Sequence, residues 1–458
     1  MKNKIILLLY VAVFLYCEII IAQTFSSIAT YNTAGDYSLP ATERPWAKDQ
    51  GVRGIYVGND LTNNGKQEVL ATDYSNGGRV HVFELNGNVL ERIWSSPANP
   101  SASNPNSVPR WIRTGDLDGD GNMEIIYPYG ARYSGSILIW EWNPTTQSFG
   151  TEPAITLPFD AIAPLGASKV RTDRETAGCW DMDGDGKSEL VVANEDSKVY
   201  ILGIDGDFPG FASWQIEGGD PATTLENRFS AGSFWDSVPA DIDGDGTKEI
   251  VNHYWNFYGF WSIKPLGVNS YMYPTPNYDG RTDHYSEFLN YLSEDAVAYM
   301  GIYPADVDGN GKDELFGVTY GGTTTNYMAF LCAPQPNNDG VYGWVADNNT
   351  SGFIGEKLWE LAGKTDGSHW GAGAYDFNGN GLSELFLGGK DGYNLIGLEY
   401  KGSGSIFNKN NYDATLLFIG DPEVFSRIEI YDSLGVFDTV YYESPFVSRI
   451  LTGSDLNN

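Results

Sequence analysis

The chain has 458 residues, 28 basic against 60 acidic, and a formal charge of −32 at neutral pH. That balance argues against a nucleic-acid partner, which demands a basic surface, and against an anionic membrane surface. Three cysteines in such a length exclude a disulfide scaffold, and beyond the N-terminus no run is long and apolar enough to span a bilayer.

Residues 1–22 read as a secretory signal peptide, with Lys2 and Lys4, an apolar run from Ile5 to about Cys17, and Ala22 before the cut. A membrane anchor is the alternative, against which Glu18 interrupts the run and no Lys/Arg cluster follows it. Cys17 raises a lipoprotein reading, opposed by the bulky Tyr16 where a small residue is expected. A secreted, extracellular or cell-surface location is therefore expected. Residues 23–50 form an N-terminal segment able to lend a strand that closes a ring.

From residue 51 onward one nine-residue pattern recurs at intervals of about sixty residues, the mark of a stacked or radial repeat. It reads Asp-x-Asp/Asn-Gly-Asp/Asn-Gly-x-x-Glu. Oxygen side chains at positions 1, 3 and 5, a main-chain carbonyl at 7 and a carboxylate at 9 suit a hard cation, with glycine at 6 for the sharp turn. The first, looser copy offers Asp60, Thr62, Asn64, Lys66 and Glu68. The second offers Asp116, Asp118, Asp120, Asn122 and Glu124; the third Asp181, Asp183, Asp185, Lys187 and Glu189. The fourth offers Asp241, Asp243, Asp245, Thr247 and Glu249; the fifth Asp306, Asp308, Asn310, Lys312 and Glu314. The sixth offers Asp376, Asn378, Asn380, Leu382 and Glu384. In each set the position-7 residue contributes its carbonyl. Up to six calcium ions are expected, because magnesium resists dehydration and rarely accepts an all-protein cage. Affinity follows ligand charge, so the copies at 60 and 376, with two carboxylates each, should be the weakest. A turn-forming role alone would explain one such cluster, but not glutamate at the same offset in every copy.

The residues after each glutamate are short, β-branched or aromatic runs, and so read as strands rather than the helices of an EF-hand. Around the first copy the strands are 54–58, 68–74, 79–85 and 89–94; around the second they are 111–115, 124–129, 136–142 and 151–157. Four-stranded units repeated radially make a β-propeller. The expected fold is all-β, a seven-bladed β-propeller of four-stranded antiparallel blades spanning 51–458, with one short helix near 284–292. The last residues, Ser448–Asn458, align with the start of the first copy, so Asp455 and Asn457 would open a seventh loop and the last blade would be incomplete. Cys179 and Cys332 fall in different repeats; whether they meet stays open, and buried free thiols are expected.

These loops and strands resemble the FG-GAP/VCBS-type repeat family, whose best-known members are the seven-bladed integrin α-subunit propellers. The resemblance runs from about residue 50 to the end. It implies calcium in the hairpin between the first and second strands of a blade, held for example by Asp181, Asp183, Asp185, the Lys187 carbonyl and Glu189. Secreted bacterial members resemble adhesins or polymer-associated proteins with a C-terminal sorting module, which here would lie beyond Asn458. The function expected is a calcium-binding module for an extracellular carbohydrate or protein ligand, with no nucleic acid and no integral membrane segment in the mature chain.

Two residue sets stand apart from the loops. An aromatic-rich insertion at 253–292 places Tyr271, Tyr273 and Tyr278 with Asp279, Asp283 and His284, able to stack on and hydrogen-bond a sugar; the opposing reading makes Trp255, Phe257 and Trp261 core residues between blades. Ahead of the loops stand Arg110, Arg113, Arg171, Arg174, Arg228, His369 and Trp370, at a rim where a ligand could dock or where the arginines balance nearby carboxylates. No nucleophile-elbow, zinc-protease or phosphate-loop motif is present. The enzymatic alternative is a polysaccharide lyase-like activity on uronate-containing polymers, carried on a calcium-loaded propeller.

Overall fold

In a computed structural model the chain is described over residues 52–57, 59–73, 79–87, 89–97, 111–129, 136–158, 178–193, 199–206, 213–218, 234–254, 260–272, 298–320, 329–336, 342–345, 369–389, 394–419, 427–431 and 437–441. The expected signal segment (residues 1–22), residues 23–50, the helix expected near 284–292 and the seventh loop expected at 455 lie outside these residues.

The described residues are all-β apart from a single 3-10 turn and build small antiparallel sheets in a β-propeller arrangement. The first sheet is β1 (Val52–Val57), β2 (Glu68–Asp73), β3 (Val80–Asn86) and β4 (Val89–Ser95). The second is β5 (Arg113–Gly115), β6 (Glu124–Tyr129), β7 (Ser136–Trp140) and β8 (Ile155–Pro158). The third is β9 (Cys179–Trp180), β10 (Glu189–Ala193), β11 (Val199–Asp205) and β12 (Ser213–Gly218); the fourth β13 (Phe234–Ala240), β14 (Glu249–Tyr254), β15 (Phe260–Gly267) and β16 (Ser270–Met272). The fifth is β17 (Ala298–Ala305), β18 (Glu314–Tyr320), β19 (Ala329–Pro336) and β20 (Tyr342–Val345); the sixth β21 (His369–Tyr375), β22 (Glu384–Gly389), β23 (Asn394–Tyr400) and β24 (Tyr412–Ile419). In all six, strands pair in chain order, and a separate hairpin joins β25 (Arg427–Tyr431) to β26 (Phe437–Tyr441).

The strand boundaries expected from the sequence recur within a few residues. The exceptions are in the second sheet, where β7 stops at Trp140 and the chain detours through the isolated Asn143–Ser148 bridge before β8. There, Asn143 Oδ1 accepts the N–H groups of Thr145 and Thr146, a local turn that competes with strand extension.

The core lies between successive sheets, and strand alternation explains it. Ile125, Tyr127, Leu138 and Trp140 pack toward the first sheet, with Leu61, Leu70, Val80 and Val82. Their neighbours in sequence, Ile126, Ile137 and Ile139, point the other way and meet Leu190, Val192, Tyr200 and Leu202 of the third sheet. Side chains at i and i+1 leave a strand on opposite faces, so a sheet packed on both sides needs apolar residues at every position. The third and fourth sheets meet in the same way through Met182, Val191 and Ile201 against Ile250 and Ile263. Each fully buried aliphatic side chain contributes roughly 1.5–3 kcal/mol of burial free energy. First strands neighbour one another along the series, β5 beside β9, β13 beside β17 and β17 beside β21, which brings the loops that follow them close together. Gly115, at the end of β5, is one place where this approach requires glycine: a Cβ there would strike the Cys179 Sγ and Ser188 of the next sheet. Cys179 itself is a buried free thiol.

Candidate cation loops

Each loop joins the first and second strands of its sheet, and its glutamate is the first residue of the second strand. Six loops share one internal hydrogen-bond plan. The position-1 aspartate uses Oδ2 to accept the N–H of position 6, at 2.6 to 3.1 Å. The glutamate uses Oε2 to accept the N–H of position 2, at 2.6 to 3.0 Å. Positions 4 and 6 both take positive φ, for example Gly119 at 78° and Gly121 at 89°. Glycine carries no Cβ penalty there, and Asn63, the one exception at position 4, is a residue type that tolerates this region.

Position 2 works as an anchor that the sequence pattern leaves blank. Leu61, Leu117, Met182, Ile242 and Val307 are buried there, whereas Phe377 of the sixth loop is exposed and stacks edge-on with Tyr375 and Phe386. The buried position-2 residue pulls its N–H inward, and the glutamate must follow to satisfy it. Glu68, Glu124, Glu189, Glu249 and Glu314 are thus at most 1% exposed, an unusual state for carboxylates.

Burial of charge without a partner is costly, and in four loops the carboxylates face each other. One oxygen each from Asp116, Asp118 and Glu124 lie within 4.8 Å of one another, as do those of Asp181, Asp183 and Glu189, of Asp241, Asp243 and Glu249, and of Asp306, Asp308 and Glu314. Burial pushes the Glu124 carboxyl up to about 9 against the Leu117 N–H, with Asp118, Asp116 and Glu141 adding to the rise. Burial likewise pushes Glu189 up to about 9 and Glu314 up to about 8, again with neighbouring carboxylates adding. Glu124 Oε1 is buried without a hydrogen-bond partner and belongs to this cluster. An orphaned buried oxygen amid like charges is the arrangement a cation would relieve. These residues fit a hard divalent ion, held by positions 1, 3 and 9. When bound, it would neutralise the facing carboxylates and fix the hairpin.

Position 5 is not part of these groups. Asp120 Oδ1 accepts the Asn122 N–H at 2.7 Å, and Asp185 and Asp245 accept the corresponding N–H of Lys187 and Thr247. The loops at 60 and 376 form no such group of three acids. In the first, Thr62 Oγ1 donates to Glu68 Oε1 at 2.9 Å; in the sixth, Asn378 Nδ2 donates to Glu384 Oε1.

Neighbouring loops clasp each other through position 8, which the sequence pattern did not single out. Ser188 N–H donates to the Asp116 carbonyl at 2.6 Å, and the Asp116 N–H donates back to Ser188 Oγ at 3.1 Å. Asp313 and Asp241 repeat the pair at 2.8 Å in both directions, and Ser383 N–H reaches the Asp306 carbonyl at 2.9 Å. The third loop is held differently: Asp183 Oδ2 accepts the Asn269 N–H at 2.6 Å and the Tyr271 hydroxyl at 3.4 Å, both from the β15–β16 hairpin of the fourth sheet. A fifth carboxylate, Glu217 of β12, leans over Gly203 toward the same place. Burial, with Asp183 and Asp185 adding, pushes it up to about 7.

Of the residues proposed to bind a ligand, Tyr271 packs on the Met182–Ile250 cluster with its hydroxyl at Asp183. Tyr273, Tyr278, Asp279, Asp283 and His284 lie outside the described residues. Among the residues expected at a rim, Arg113 is buried and its Nη1 donates to the Ile112 carbonyl at 2.9 Å. Arg110, Arg171, Arg174 and Arg228 lie outside the described residues, and for His369 and Trp370 only the main chain is described.

A family model described as an FG-GAP-like repeat matches residues 60–127 and 181–251. No curated protein matches the chain. Among solved structures, an exotype rhamnogalacturonan lyase, YesX, shows 12% identity and a TM-score of 0.41 over 81% of this chain and 65% of that one. A rhamnogalacturonan lyase from Bacillus licheniformis shows 14% identity and a TM-score of 0.34, over 86% of this chain and 82% of that one. BBS1N, in its complex with ARL6DN, shows 10% identity and a TM-score of 0.39, over 79% and 81%. The chain thus spans just under two thirds of the length of the first of these.

Proposed function

The chain carries FG-GAP-like repeats, and from that premise we propose that it is a secreted, calcium-stabilised seven-bladed propeller whose surface binds an extracellular carbohydrate or protein. The observation that carries the metal is the buried Glu124 Oε1, without a hydrogen-bond partner inside a cluster of three facing acids. Calcium suits such oxygen-only cages better than magnesium. Positions 1, 3, 5, 7 and 9 make up the proposed ligand sets of the loops at 116, 181 and 306, while the loops at 60 and 376, with two carboxylates each, hold an ion least well.

The same geometry supports a structural rather than a reactive ion. Position-1 carboxylates are tied down by loop N–H groups on both oxygens, as at Asp116, where Gly119 and Gly121 donate. At Asp116, Asp241 and Asp306 the position-1 main chain is also clasped by the adjacent sheet. Ligands held so firmly preorganise a scaffold, and recognition then falls to loops elsewhere on the ring. Secretion rests on the signal-like residues 1–22. No helix among the described residues is long and apolar enough to cross a membrane.

The test sets binding beside turnover. Calcium-loaded full chain is run through native gels containing pectic and other uronate polymers, and the same mixtures are followed by ultraviolet absorbance for unsaturated products. Retardation without product is the expected result. Product formation would replace the binding reading with the lyase one, and absence of retardation on every polymer would move the ligand to protein.

A further inference from the structure

The fourth loop differs from its neighbours in what faces it. On the third strand of each sheet one residue lies in register with the loop glutamate: Glu84 opposite Glu68, then Glu141, Gly203, Lys264, Ala333 and Glu399 one step beyond the pairs 125–140, 190–202, 250–263, 315–332 and 385–398. Five of these are acidic or small; the fourth is a lysine.

The Lys264 side chain enters the acid cluster. Its Nζ contacts Asp243 Oδ2, lies 3.0 Å from Asp245 Oδ2 and 3.4 Å from Glu249 Oε1. Glu249 Oε1 is the counterpart of the orphaned Glu124 Oε1, a buried oxygen that makes no hydrogen bond. Here a positive charge stands beside it. The lysine is 18% exposed, so its charge is poorly screened by solvent. A divalent ion between Asp241, Asp243 and Glu249 would meet that ammonium at close range, and the two cations would repel strongly. Lysine also takes up the position-3 oxygen, Asp243 Oδ2, that the ion would need, and sets its charge against Glu249 Oε1.

We propose that Lys264 is the resident cation of the fourth loop: its ammonium neutralises Asp243 and Glu249, the position-3 and position-9 carboxylates that a divalent ion would join in the loops at 116, 181 and 306. This rests on the cation reading of those three loops. The fourth hairpin is then closed by the protein's own charge and stays closed at low calcium.

The decisive measurement is the number of calcium ions per full chain, read by native mass spectrometry on variants checked for folding by circular dichroism. Asp243→Asn is expected to keep the wild-type count. Lys264→Met is expected to gain one ion, which the Lys264→Met/Asp243→Asn double variant loses again, and Lys264→Arg is expected to match the wild type. Loss of one ion in Asp243→Asn alone overturns the proposal, and so does an unchanged count in folded Lys264→Met. Should Lys264→Met fail to fold, the Asp243→Asn comparison decides by itself. Asp183→Asn serves as the reference and is expected to lose one ion; if it loses none, the cation reading of the loops falls and takes this proposal with it, a result distinct from the lysine-specific outcomes.

Discussion

The loops at 116 and 376 share a fold and differ in how a buried glutamate is satisfied. Both glutamates give Oε2 to the position-2 N–H at 2.7 Å. At 116 the other oxygen faces aspartates and has no hydrogen-bond partner, whereas at 376 the Asn378 amide supplies a donor, and Asn378 and Asn380 also donate to Glu399. The Thr62 hydroxyl plays the same part in the loop at 60. An amide or hydroxyl at position 3 therefore closes the loop with protein alone, while a carboxylate there leaves a deficit of positive charge. One substitution decides whether a hairpin is self-sufficient or needs an ion.

Stripping divalent ions would break this contrast at its root. A loop with a dissociation constant of ~0.1 mM gains roughly 1.4 kcal/mol at ~1 mM calcium. Three such loops would give about 4 kcal/mol, and chelation should lower the melting temperature on the order of 5–10 °C. A melting curve indifferent to chelator would remove the ion from the account. At single loops, Asp183→Ala should cut the calcium-dependent part of stability by about 1–2 kcal/mol, and Asn380→Ala by less than about 0.5 kcal/mol. Taking the difference between calcium and chelator scans sets aside the Asn269 and Tyr271 bonds that Asp183 also holds. Equal losses would contradict the charge argument.

Acidity sharpens the contrast without mutation. In the chelated chain burial holds Glu124 and Glu189 up to about 9 and Glu314 up to about 8, against roughly 4.3 for an unfolded glutamate. The folded state then binds more protons than the unfolded one between those values. Its stability is full below about pH 4 from these groups and falls as pH rises toward 9. Denaturant midpoints of the chelated chain should thus drop from pH 5 to pH 8, and calcium should flatten the slope; a chelated chain gaining stability over that range would refute the sign. The smallest expected effect is a gain: Thr62→Asp removes the hydroxyl from Glu68 and should add one weakly held calcium, worth up to about 1 kcal/mol at ~1 mM ion, visible as an extra ion by mass spectrometry.

Much of this was legible beforehand because the loop writes its own geometry. Glycines at 4 and 6, the glutamate that opens a strand and the two-faced apolar runs placed nearly every strand of the first two sheets. That the loops at 60 and 376 form no group of three acids also followed from counting carboxylates. Position 5 did not follow: Asp120, Asp185 and Asp245 lie outside the facing groups, each accepting the N–H of position 7. The Lys264 ammonium was hidden because it arrives from a strand about twenty residues away, in a register that only pairing reveals. Ser188 and Asp313 escaped notice for a related reason, since their partners are in the preceding sheet.

That clasp has a directional consequence. Asp116 anchors its own hairpin through its side chain and is gripped through its main chain by Ser188, a member of the following hairpin. Occupation of either hairpin steadies a residue on which the other depends. Loading of the hairpins at 116 and 181 should therefore be cooperative, with a calcium titration steeper than independent binding allows, and the pair would tighten together rather than one at a time.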